Sequence, residues 1–259
     1  MLDVLERAAV EAGRAILNVK PSNAGTTIKN DQSPVTIADQ KSEAVIIKAL
    51  LRAFPGVPVV AEEAMADGRA PQIDGTAFFL VDPLDGTKEY INQSADYTVN
   101  IALIENGIPV IGIVYAPARQ AGYAAYRGRA SKFMVTLDDV VCDRGEIRCR
   151  AKGESLTAVA SRSHSNAQTE EFLRENSVTS CLSVGSSLKF CLLAEGLADV
   201  YPRYGRTMEW DTAAGDAILR AAGGRTSLID GAPLTYGKRR QASDCDFANP
   251  HFVAWGADH

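Results

Sequence analysis

Phe78-Phe79-Leu80-Val81-Asp82-Pro83-Leu84-Asp85-Gly86-Thr87-Lys88-Glu89-Tyr90 is the stretch that decides the fold. Its four leading apolar residues predict a buried strand. The run stops at Asp82, where proline removes an amide donor and Gly86 permits a tight turn. The strand therefore delivers Asp82, Asp85 and the Thr87 hydroxyl into a turn at its carboxyl end. Ligands bind at such ends in open α/β sheets. Close aspartates repel unless a cation lies between them, and an all-oxygen cluster suits Mg²⁺. An ordinary Asp/Gly turn after a strand also reads this stretch, with no ligand at all. An aspartyl-phosphate mechanism is disfavoured: it calls for Asp-x-Asp-x-Thr, and here two residues separate Asp82 from Asp85.

Upstream, residues 2–19 carry Leu2, Leu5, Ala9, Ala12, Ile16 and Val19 at helical spacing, ended by Pro21. A second helix follows Thr36, which forms a capping box with Asp39, and runs to about Phe54. Asp39, Glu43, Ile46 and Leu50 share one of its faces. Asp39 reads as a cap or as an acid heading a partly buried stripe. Residues 57–61 form a short strand ending in Glu62-Glu63, followed by a polar loop over about 65–75. Two strands that both end in carboxylates point to a shared site.

Downstream, the pattern turns antiparallel: strands at 97–104, 108–115 and 122–126, with Glu105-Asn106-Gly107 as a hairpin turn. Residues 127–152 read as further short strands and a junction. Strands are then expected at 156–161, 181–184, 199–202, 225–229 and 252–255. Helices are expected at 168–176, from Gly185-Ser186-Ser187 to about Leu197, and at 211–222. Asp211 heads the last of these, where an N-cap aspartate is common and anions are favoured.

Composition narrows the function. The chain has 259 residues, enough for one large domain or two small ones. No apolar run approaches the ~20 residues of a membrane span, and the N-terminus lacks a signal pattern, so a cytoplasmic location is expected. The five cysteines, Cys142, Cys149, Cys181, Cys191 and Cys245, are odd in number and form no Cys-x-x-Cys. That argues against disulfides and zinc. His164, His251 and His259 are too scattered for a zinc site. A net charge of −5 argues against nucleic-acid binding and means an anionic substrate needs local positive charge, which bound metal supplies.

Taken in order, Glu62-Glu63, Asp82-Pro83-Leu84-Asp85-Gly86-Thr87 and Trp210-Asp211-Thr212-Ala213-Ala214-Gly215 resemble the inositol monophosphatase superfamily. Its members are Mg²⁺-dependent, lithium-sensitive phosphatases of small molecules. A finer similarity, to the bacterial 3′(2′),5′-bisphosphate nucleotidase branch, rests on Ser33-Pro34-Val35-Thr36-Ile37-Ala38-Asp39, Thr87-Lys88-Glu89-Tyr90, Ser161-Arg162-Ser163-His164 and Gly185-Ser186-Ser187-Leu188-Lys189-Phe190. Ala198-Asp199-Val200-Tyr201-Pro202-Arg203 and Thr207-Met208-Glu209-Trp210-Asp211 add to it. Arg206 stands where the branch usually has proline.

The resemblance implies an α/β (α+β) protein with layered α-β-α-β-α order. An antiparallel sheet is expected in an N-terminal subdomain, 1–152, which carries most metal ligands. A mixed sheet is expected in a C-terminal subdomain, 153–259, which carries Asp211 and substrate contacts. It implies two to three Mg²⁺ ions held by Glu62, Asp82, the Leu84 carbonyl, Asp85 and Asp211. A metal-activated water is the implied nucleophile, oriented by Glu62 and Thr87, with Asp39 accepting from Thr87. Substrate contacts are implied for Leu84, Asp85, Gly86, Thr87, Gly185, Ser186, Ser187, Asp211, His164 and Lys189, with Arg203 a further source of charge. The expected reaction releases the 3′-phosphate of adenosine 3′,5′-bisphosphate, clearing a by-product of sulfate assimilation. The alternatives are an inositol-1-phosphate or sugar-phosphate phosphatase, and a non-catalytic metal-dependent nucleotide binder. A cytoplasmic monomer or homodimer, with peripheral association at the inner membrane as the alternative location, completes the expectation.

Overall fold

The structure, a computed structural model, describes residues 1–29, 32–73, 75–151, 153, 155–160 and 166–257. Helix α1 (Leu2–Leu17) buries Leu5, Ala9, Ala12 and Ile16, the stripe its spacing predicts. A small hairpin follows, β1 (Thr27–Ile28) and β2 (Pro34–Val35). Helix α2 (Ile37–Ala53) opens on the expected capping box: the Ala38 amide donates to Thr36 Oγ1 at 3.1 Å and the Thr36 amide to Asp39 Oδ2 at 2.8 Å.

Strand β3 (Val59–Ala61) runs straight into helix α3 (Glu62–Ala66), so a turn of helix precedes the expected polar loop. Strand β4 (Ala77–Asp85) does not stop at Asp82 as the sequence suggested. Asp82 faces Asn100 and Asp85 faces Thr98 on the next strand, so one extra residue is bulged out around Pro83. Proline fits there because a bulge leaves an amide unpaired in any case. Helix α4 (Thr87–Ile91) then begins, with Gly86 at φ 93° as its N-cap.

Strands β5 (Thr98–Glu105), β6 (Ile108–Ala116), β7 (Ala121–Tyr126), β8 (Arg129–Val135) and β9 (Val141–Glu146) complete a seven-stranded sheet in the order β3-β4-β5-β6-β7-β8-β9. Only the β3–β4 pair in it is parallel. β9 is an exposed edge, so burial imposes no alternation on its side chains.

The second half contributes β10 (Leu156–Ala160), α5 (Ala167–Glu175), β11 (Val178–Ser183), α6 (Leu188–Ala194), β12 (Val200–Arg203), β13 (Thr207–Met208), α7 (Glu209–Ala221), β14 (Arg225–Leu228), β15 (Ala248–Asn249) and β16 (Phe252–Trp255). Helix α6 is shorter than expected, ending at Ala194 rather than near Leu197. Its sheet has the order β11-β10-β12-β16-β14, parallel around β10 and antiparallel around β16. β13 and β15 form a separate pair.

The layers are α1 and α2, the seven-stranded sheet, α6 and α7, the five-stranded sheet, then α5. This is the expected α-β-α-β-α order. Leu80, Ile104 and Val114 of the first sheet share one hydrophobic cluster with Phe190, Ile218 and Phe252 of the second half. No helix among the described residues is long and apolar enough to cross a membrane.

Helix α7 lies close on the first sheet because Gly112 faces it: a Cβ there would sit 2.4 Å from the Ala214 carbonyl oxygen. That contact is backbone and cannot rotate aside. Gly112→Ala should therefore destabilise the protein by about 1–3 kcal/mol, read as a lower Tm in thermal denaturation. An unchanged Tm would mean that α7 is free to shift.

Candidate active site

The parallel β3–β4 pair builds the centre. Ala61 is in register with Val81, so the next residues, Glu62 and Asp82, emerge side by side at the same sheet end. The β4 bulge then brings Asp85 round, and the N-terminal turn of α7 brings Asp211 across the seam between the halves. Glu62, Asp82, Leu84, Asp85, Gly86, Thr87, Gly185, Ser186, Ser187, Lys189 and Asp211 line one cleft of about 270 Å³. All the expected site residues converge there except Asp39, which reaches it through Thr87, and His164, which lies outside the described residues. A larger hollow, about 820 Å³, opens behind Lys29 between the β1–β2 hairpin and α2, but its walls hold none of Asp82, Asp85 and Asp211.

The acids repel one another. Burial pushes Asp82 well above the usual carboxylate range, and Glu62, Asp85 and Asp211 push it further. Asp211 is likewise raised by burial, then by Asp85 and Glu62. Glu62 is raised by burial even though Lys29 opposes the shift. Lys29 donates to Glu62 Oε1 and Glu63 Oε1, both at 2.7 Å. Glu63 is no surface residue: it is buried, its amide donates to Glu43 Oε2 at 2.7 Å, and burial lifts its carboxyl to about 7.

Donors from both halves hold the acids in place. Asp82 Oδ1 accepts from the Leu84 amide at 3.0 Å. Asp85 Oδ2 accepts from the Ser187 amide at 2.7 Å, from the Ser187 hydroxyl at 3.0 Å and from Asn100 Nδ2 at 3.3 Å. Asp211 is not the N-cap but the third residue of α7; its Oδ2 accepts from the Met208 amide at 2.8 Å. Ser42 on α2 donates to the Pro83 carbonyl at 2.7 Å and pins the bulge.

Thr87 Oγ1 donates to Asp39 Oδ1 at 3.0 Å and lies 3.3 Å from the Leu84 carbonyl. Asp39 is both the cap of α2 and this acceptor, so the two readings of it are compatible. Its carboxyl is raised by burial, with hydrogen bonds from Thr36 and Thr87 opposing. On the opposite wall, Lys189 is buried against Tyr201, with its ammonium 5.6 Å from the ring centre. It donates to the Ser186 carbonyl at 2.6 Å, and burial lowers it to about 8 despite Asp85, Glu89 and Asp211. Ser186 Oγ and Arg203 Nε are buried in this wall with no hydrogen-bond partner.

Profile matching places residues 1–247 in the inositol monophosphatase family. The chain belongs to that family. It is 42% identical over 256 residues to the Escherichia coli K12 protein named 3′(2′),5′-bisphosphate nucleotidase CysQ, covering 97% of this chain and 98% of that one. Its fold matches the crystal structure of CysQ from Bacteroides thetaiotaomicron with a TM-score of 0.80 at 34% identity, over 100% of this chain and 97% of that one. An inositol monophosphatase from Anabaena matches with a TM-score of 0.76 at 26% identity, over 99% and 90% of the two chains.

For a member of the inositol monophosphatase family, the oxygen-only set suits Mg²⁺, and the mutual repulsion at Asp82 is the charge that divalent ions would offset. Among the described residues, no three acids, imidazoles or thiols already stand as a closed metal shell; the Lys29 ammonium holds one oxygen of Glu62 instead. Sequence reasoning missed Lys29, Ser42 and Asn100. Asn100 had a signal: it is a polar residue inside the apolar run Val99-Asn100-Ile101-Ala102.

The raised acids fix a pH response. Folded Asp82, Glu62 and Asp211 bind protons more tightly than the unfolded chain does. Stability without metal is therefore fullest below the ordinary carboxylate range and falls as pH rises through the raised values. Metal-free Tm should fall as pH rises above the ordinary carboxylate range, and Mg²⁺ should restore it. Asp82→Asn should raise the metal-free Tm by about 2–4 °C and abolish the Mg²⁺ response. A flat metal-free profile would contradict the account of repelling acids.

Proposed function

We propose that this chain hydrolyses the 3′-phosphate of adenosine 3′,5′-bisphosphate to AMP and phosphate, with Mg²⁺. One observation carries the choice of substrate: the acidic centre shares one cleft with the buried Lys189 and the half-buried Arg203. Lys189, Arg203 and the unpartnered Ser186 hydroxyl answer a second phosphate. An inositol monophosphate has no group that needs them. The name of the Escherichia coli relative, a 3′(2′),5′-bisphosphate nucleotidase, supports the same reading.

In this reading Glu62, Asp82, the Leu84 carbonyl, Asp85 and Asp211 would hold two to three Mg²⁺ ions. Bound there, the ions supply an activated water and balance the charge of the phosphate and leaving oxygen. The protein positions the rest. Because Thr87 Oγ1 donates to Asp39, its lone pairs are free to accept from a water that Glu62 would help to orient. The amides of Gly86 and Thr87, turned by the left-handed Gly86, would hold the scissile phosphate. The 1–152 half thus supplies the chemistry, and the 153–259 half supplies Asp211 and the distal-phosphate wall. A non-catalytic binder would have no use for the Thr87–Asp39 pair.

Side-by-side phosphate release from adenosine 3′,5′-bisphosphate and inositol 1-phosphate tests the substrate; faster release from the inositol ester would refute it. Thr87→Ala should lower kcat about 10²–10⁴-fold while keeping the Mg²⁺-induced rise in Tm. Lys189→Met should raise KM for the bisphosphate about 10- to 100-fold and leave KM for adenosine 3′-monophosphate nearly unchanged. An equal effect on both nucleotides would remove Lys189 from the distal-phosphate contact.

A further inference from the structure

Glu89 lines the cleft together with the acidic centre and Lys189. Its side chain runs between two glycines from opposite halves. A Cβ on Gly86 would stand 3.3 Å from Glu89 Oε2, and a Cβ on Gly185 would stand 3.1 Å from Glu89 Cγ. The same Cβ positions would also meet the Asp96 carbonyl oxygen, at 3.2 Å from Gly86 and 2.7 Å from Gly185, so Glu89 and the Asp96 backbone both pack against these glycines. As the third residue of α4, it could have served only to bond the amides at the start of that helix. It does not: its carboxylate has no hydrogen-bond or ion-pair partner among the described residues. Lys189 feels its charge without pairing with it.

A half-buried carboxylate with open acceptor capacity, beside Gly86, faces whatever neighbours the scissile phosphate. A second phosphate there would be repelled, and an apolar group would leave the carboxylate unanswered. A hydroxyl satisfies it. We propose that Glu89 is a specificity-determining residue that accepts a hydrogen bond from the hydroxyl next to the scissile phosphoester, the 2′-hydroxyl when the 3′-phosphate is removed. The assignment rests on the proposed nucleotidase reaction. It also fits cleavage at either ribose position, since each leaves a hydroxyl on the adjacent carbon. Gly86 and Gly185 contribute by having no side chain, so the carboxylate reaches the sugar edge while Lys189 and Arg203 remain free for the distal phosphate.

Phosphate release with Mg²⁺ from adenosine 3′,5′-bisphosphate and from its 2′-deoxy analogue tests this. The wild type should favour the ribonucleotide in kcat/KM by about 10- to 100-fold, the usual cost of one lost hydrogen bond to a charged group. Glu89→Ala and Glu89→Gln should cut kcat/KM for the ribonucleotide toward that of the deoxy analogue and leave the analogue almost unchanged. A purely structural loss would lower both substrates together and reduce the Mg²⁺-induced rise in Tm. Equal wild-type rates on the two nucleotides would overturn the role of Glu89 and leave the nucleotidase intact; because that comparison needs no variant, misfolding cannot mask it. No turnover of either nucleotide would overturn the nucleotidase reading and the Glu89 assignment with it.

Discussion

Mutual repulsion among crowded, desolvated carboxylates is the constraint on which the rest of this structure depends. Glu62, Asp82, Asp85 and Asp211 crowd one cleft, and desolvation makes the charges of Glu62, Asp82 and Asp211 more costly than they would be in water. The fold assembles this cluster through the one parallel pair in an otherwise antiparallel sheet. Parallel pairing puts two strand ends together, which an antiparallel neighbour cannot do. The bulge at Pro83 adds a third acid, and the tip of α7 adds a fourth. Hydrophobic packing elsewhere, where Phe79, Phe133, Phe190 and Phe252 are fully buried, offsets the strain of holding them together.

The same seam is tied by directional contacts. Ser187 comes from the second half and its amide donates to Asp85 of the first, while its hydroxyl lies 2.6 Å from the Asp211 carbonyl. Asn100 Nδ2 donates to Ser187 Oγ at 2.9 Å, and the Thr98 hydroxyl fixes Asn100 by donating to its Oδ1, also at 2.9 Å. This chain links β5, the β4 bulge and the approach to α6 and α7. The position of Asp85 is therefore set by both halves at once, and a shift of either would be felt at the acidic centre. Gly185 allows the close approach, since a Cβ there would lie 2.7 Å from the Asp96 carbonyl oxygen.

A shared fold does not fix a shared substrate. The Anabaena inositol monophosphatase and the Bacteroides CysQ both superpose on this chain. What differs between phosphatases of one fold should lie away from the reacting phosphate. In this chain Lys189, Arg203, Ser186 and Glu89 line the same cleft as the acids. A buried ammonium lowered to about 8 is costly to keep, and a fold retains such a group where an anion repays it.

Much of this was legible in the residues alone. Apolar periodicity located α1 and the buried face of α2, although the short α3 and α4 went unread, and the strand read at 78–81 leads into the acids. Thr36 and Asp39 announced the start of α2, because a capping box is a local interaction between residues three apart. The motifs around Glu62, Asp82 and Asp211 named the acids, since residue type and short spacing suffice to mark candidate ligands. What the sequence could not decide was how distant segments meet. Nothing local says that Lys29 reaches Glu62, that Asn100 bonds Ser187, or that Lys189 is buried rather than solvated. The continuation of β4 past Asp82 depends on its pairing with β5. These are long-range contacts, fixed only when the sheets, the α6–α7 layer and the glycine approaches close on one another.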